Sequence, residues 1–158
     1  MAKVLGIRAE LRLDSRGENQ IANETSREPP RAGDELAVAA YKRDYWQAIH
    51  RTEVSSRKYN CHGLSFASRR TVIHLPEEVA KILLEDEYQR VELDDVKPGD
   101  LAIYNKGGDL EHSGIVIEFN PILKISKILG KWGFCQEVVH WSNYSPYAGE
   151  IQYYRIES

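Results

Sequence analysis

The sequence predicts an α+β domain in which helices come first and a mostly antiparallel sheet follows. Two patterns carry this. Residues 35–50 and 74–88 repeat apolar side chains at three- and four-residue intervals, as amphipathic helices do. From residue 89 onward the chain breaks into short apolar or alternating runs separated by turn residues. The 158 residues, 42% hydrophobic and 28% charged, suit one domain over 1–158 with a single continuous core.

In chain order, residues 1–34 read as an extended or loop-rich N-terminal arm, because 14–34 are polar and carry a Pro-Pro pair. Asp34 is the expected N-cap of a helix over ELAVAAYKRDYWQAIH, with Val38, Tyr41, Tyr45 and Ala48 on one face. After a polar link, YNCHGLSFASRR is apolar enough to be a buried helix holding Leu64 and Phe66. HLPEEVAKILLEDEY predicts another. Pro76 suits its first turn, Glu77 and Glu78 complement the helix dipole, and Val79, Ile82 and Leu83 form a stripe. QRVEL, LAIYN, HSGIVIEF, ILKISKIL and EIQYYRI are the expected strands, punctuated by KPGD and NKGGD, with Lys124 and Lys127 guarding a sheet edge.

The formal net charge of −3 leaves no electrostatic footprint for nucleic acid or an anionic membrane. No stretch approaches the roughly 18 consecutive apolar residues needed to span a bilayer. The first twenty residues alternate apolar and charged side chains without an apolar stretch of signal-peptide length, so a cytoplasmic location is expected. Two cysteines make no disulfide framework of the kind that staples small secreted domains. Which of them matters is then a question of reactivity rather than packing.

Cys61 is the candidate nucleophile. A free thiol with a pKa near about 8.5 is only about 3% thiolate at neutral pH, so it needs positive charge nearby. The predicted start of a helix and a nearby imidazole supply it. A small core residue is the competing reading. Gly63 would let a substrate or another backbone approach closely, and Tyr59 would line the cleft beside the nucleophile. His112, opening a predicted strand, is the candidate base on a rigid mount, with Gly114 leaving space beside it. A surface histidine at a strand end is the alternative. A third residue should orient the imidazole through its other nitrogen; His140 is favoured, with Glu137, Asn143 and Ser126 as alternatives. Trp132 and Trp141 would form an apolar wall over a substrate, or be ordinary buried aromatics.

VKPGDLAIY, a turn and HSGIVIEF together resemble the signature of the NlpC-type cysteine peptidases and the related CHAP amidases. NCHGLSF is similar to their Asp-Cys-Ser-Gly-apolar segment at the head of the first core helix. The likeness covers roughly residues 59–140. It implies a papain-like fold, with N-terminal helices packed on an antiparallel, partly barrel-like sheet and the cleft between the Cys61 helix and the His112 strand. It further implies a cysteine peptidase or amidase acting on a cell-wall peptide or related isopeptide, with Cys61 as nucleophile, His112 as general base and the Cys61 backbone N–H in the oxyanion hole. Substrate contacts are expected at Tyr59, Asn60, His62, Gly63, Ser113 and Trp132. Asn60 and His62 depart from the family's Asp and Ser, and the third strand carries no plain His or Asn. No cofactor is implied, and delivery by a phage or a secretion system is compatible with the resemblance.

Three readings compete. A catalytically inactive, peptidase-like binding module would carry an ordinary slow thiol. A metal site would draw on Cys61, His62, His112, Cys135 or His140, but there is no Cys-x-x-Cys and no paired His at metal spacing. An acyltransferase or deamidase would use the same Cys–His pair.

Overall fold

The computed structural model describes residues 8–157. A short hairpin, β1 (Arg8–Ala9) with β2 (Thr25–Ser26), opens the described chain. The arm is not a free extension. Ile21 is buried in the core, the Ala22 N–H donates to Glu78, and Ser15 and Asn19 both bond to Glu85.

Helix α1 (Ala32–Asp44) begins earlier than expected. Asp34 is not its N-cap but its third residue, where the carboxylate accepts the Arg31 N–H at 2.9 Å and a bidentate pair of bonds from Arg57. Either position suits an aspartate, since both complement the exposed N–H groups of a first turn. The helix stops at Asp44, so Ala48 lies beyond it, and Ile49–His50 form strand β3. Val38 is buried, and Tyr41 and Tyr45 set their rings edge-on against Trp132 at 5.2 and 5.0 Å.

Helices α2 (Cys61–Ala67) and α3 (Pro76–Glu85) fall where their patterns put them. Then come β4 (Gln89–Val91), β5 (Leu101–Lys106), β6 (Asp109–Asn120), β7 (Ile125–Lys131), β8 (Glu137–Trp141) and β9 (Glu150–Arg155). These six and β3 form one antiparallel, open seven-stranded sheet in the order β3-β8-β7-β6-β5-β9-β4. Three consecutive hairpins build β5 to β8, and β9 returns to the far side of β5. The sheet does not close into a barrel; β3 and β4 are its edges. Lys127 therefore guards no edge: β7 is interior, and Lys127 pairs with Glu118 at 3.2 Å while lying over Trp141. Lys124, at the β6–β7 turn, pairs with Asp94.

Alternation along the strands gives the sheet two apolar faces. Leu101 and Ile103 point to α2, α3 and Ile21, forming a core with Ala67, Val79 and Ile82. Ala102, Tyr104, Val116, Ile128 and Tyr153 form the second core on the opposite face. Among the described residues, no helix is long and apolar enough to cross a membrane.

Candidate active site

Cys61 is the first residue of α2, and Asn60 caps the helix by accepting the Gly63 N–H at 2.9 Å. The same side chain accepts the Ile73 N–H and donates to the Ile73 carbonyl, pinning the head of α2 to the segment before α3. Gly63 lets these segments close up. A Cβ there would stand 1.8 Å from the Thr71 carbonyl oxygen, so the close approach is made by the protein's own backbone.

His112 sits inside β6, which starts three residues earlier at Asp109, and it pairs with Tyr104 of β5, so the ring is not mounted at a frayed end. The ring is fully buried. Tyr147 stacks on it with centroids 3.8 Å apart and planes 5° from parallel, and Tyr104 meets it edge-on at 5.3 Å. Gly130 on β7 makes room for the ring, since a Cβ at that position would lie 3.2 Å from His112 Nε2. The space beside Gly114 is filled by the side chain of Ile128.

The Cys61 thiol interacts with two imidazoles. Burial pushes its pKa up, but the charges of His62 and then His112 outweigh burial and hold the thiol well below its ordinary range. Among the described residues, neither ring nitrogen of His112 makes a full hydrogen bond, so its pull on the sulfur is mainly electrostatic. Cys135 behaves in the opposite way: burial raises its thiol, which reaches the Asp34 carbonyl at 4.0 Å. Both cysteines are free.

A cleft of about 320 Å³ opens over Cys61. Asn60 and His62 also line it, together with Phe134, Tyr147 and the carboxylates of Asp109 and Glu111. Four residues expected to contact substrate do not line it. Tyr59 donates its hydroxyl to Glu137 and lies under Lys131 Nζ at 4.9 Å. Gly63 faces Thr71, and Ser113 is buried between His62 and Ser65. Trp132 is buried among Tyr41, Tyr45, His50 and His140. The aromatic walls of the cleft are Phe134 and Tyr147 instead.

Of the four candidates for a third residue, Glu137 is engaged by Arg69 at 2.7 and 2.9 Å and by Tyr59. Ser126 bonds to Tyr153 at 2.7 Å, and Asn143 is exposed. His140 lies close enough to His112 for the two charges to oppose each other. Burial is the main reason its pKa falls, to about 4, so the ring is neutral; its Nδ1–H donates to the Trp141 carbonyl at 2.8 Å, leaving Nε2 as an acceptor. Among the described residues, no group of three or more His, Cys, Asp or Glu side chains is arranged to hold a metal ion.

No protein-family model, curated protein or solved structure matches the chain.

Proposed function

We propose that this chain is a cysteine hydrolase of papain-like architecture that cleaves an amide or peptide bond, in a cell-wall peptide or a related isopeptide. One observation carries the reading: a thiol held well below its ordinary pKa by two histidines, at the floor of an open cleft. His112 takes the proton of Cys61, leaving a thiolate beside an imidazolium. The sulfur attacks the carbonyl carbon, and the Cys61 N–H, which has no acceptor in its own helix, donates to the oxyanion. Each such donor is worth roughly 2.7–4 kcal/mol in the transition state. His112 passes its proton to the leaving amine, the C–N bond breaks, and water delivered through the same base hydrolyses the thioester. His140 is the third residue we assign, acting on His112 through its proximity, while the stacked Tyr147 holds the ring in place. Asp109 and Glu111 make the cleft rim anionic, which favours substrates carrying an ammonium group near the scissile bond.

The test is a thiol-reactive activity probe with mass-spectrometric mapping, followed by a screen of muropeptides and simple amides. Labelling is expected at Cys61. Cys61→Ser should abolish both labelling and hydrolysis, and Cys135→Ala should preserve both. An ordinary slow thiol at Cys61 would identify a binding module instead.

A further inference from the structure

His62 is almost wholly buried, yet both of its ring nitrogens are engaged. Nε2 lies 3.0 Å from the Leu110 carbonyl oxygen. A carbonyl only accepts, so Nε2 carries a proton. Nδ1 lies 2.8 Å from Ser113 Oγ, and Ser113 gives its single hydroxyl proton to Ser65 Oγ at 2.9 Å. The Ser113 oxygen is thereby left as the acceptor, so Nδ1 carries a proton as well. An imidazole with two N–H groups is a cation.

We propose that His62 is a fixed imidazolium, held by Leu110 and Ser113, that keeps Cys61 a thiolate independently of the proton on His112. The inference rests on Cys61 being the nucleophile. It divides between two residues what a catalytic pair assigns to one: His62 supplies standing charge, and His112 moves protons. His62 keeps both protons throughout. When the thioester is hydrolysed, the proton of water goes to His112, the S–C bond breaks, and sulfur departs as a thiolate against the same charge.

The surroundings agree. Burial pulls the pKa of His62 down, but the Cys61 sulfur and the Leu110 carbonyl raise it more, with Asp109 adding to the rise. The other titratable groups facing the pair are His112 on β6, Tyr147 and Lys131, which interact with the sulfur, and His74 and Glu111 across the cleft. The helix itself contributes little, because α2 is only seven residues long.

The experiment is site-resolved alkylation of Cys61 by iodoacetamide against pH in the full chain, alongside nitrogen NMR of the histidine rings in the unsubstituted protein. His112→Ala should abolish hydrolysis yet keep alkylation at about pH 6 within about threefold, while His62→Gln should lose at least about tenfold at that pH. NMR should find both His62 nitrogens protonated at neutral pH. Collapse of alkylation to the ordinary-thiol profile in His112→Ala, or a bare nitrogen on His62, would overturn the proposal. The NMR result stands even where His62→Gln fails to fold. Neither readout uses a substrate, so a chain that hydrolyses no amide would defeat the enzyme reading while leaving this one to its own measurements.

Discussion

His140 buries a titratable ring with one nitrogen satisfied by Trp141 and the other, among the described residues, without a hydrogen-bond partner. Its folded pKa, about 4, lies below its ordinary value of 6.5. Between these two values the unfolded chain takes up a proton that the folded chain refuses. Stability contributed by the neutral ring is therefore complete above about pH 6.5 and falls as the pH drops toward about 4, by about 3 kcal/mol in all. Urea unfolding of the unsubstituted protein and of His140→Gln across this window should show a steep acid loss in the first and a flatter one in the second. Equal slopes would mean that the ring is charged or hydrated when folded. Glu137 shifts down as well. The Arg69 guanidinium holds it below the usual carboxylate range against the cost of burial, so its contribution is present above that range and is lost as the pH falls through the lowered value.

At the scale of elements, two glycines set how closely the parts of the proposed active site meet. Gly63→Ala would put a methyl group 1.8 Å from the Thr71 oxygen, a backbone atom that cannot rotate away. We expect thermal unfolding to show at least about 3 kcal/mol of lost stability, with α2 displaced. Gly130→Ala is milder. Its methyl group would press on His112 Nε2 from 3.2 Å, and moving the ring by a few tenths of an ångström should lower kcat about tenfold with little change in melting temperature. These elements differed in how legible they were. The stripes of α3 and the alternation of β5 to β7 are local signals, and the structure follows them. Strand β8 gave no such signal, because it buries Glu137, a charge that Arg69 and Tyr59 make tolerable, and those partners are distant in sequence. Strand β3 was read as the end of α1 because Ile49 and His50 continue its apolar spacing; pairing with Val138 and Val139 overrides that spacing.

Across the whole molecule, the sulfur, its two histidines and the ring that roofs one of them come from α2, β6 and the turn before β9. Cys61 and His112 could be singled out because each sits in a recognisable local setting. The engagement of His62 by Leu110 and Ser113, and the stacking of Tyr147, depend on tertiary neighbours that no local pattern encodes. Tyr147→Phe keeps the stacked ring and should hold kcat within about threefold, whereas Tyr147→Ala should cost about tenfold or more by freeing the base. Equal loss in both variants would point to the hydroxyl instead of the stack. The order of these parts along the chain has its own outcome during synthesis. The sulfur leaves the ribosome well before position 112 and long before position 147, when it is no more reactive than any free thiol. Only the finished fold brings His62 and His112 to the sulfur, so a nascent or damaged copy carries an ordinary thiol and lacks the lowered pKa.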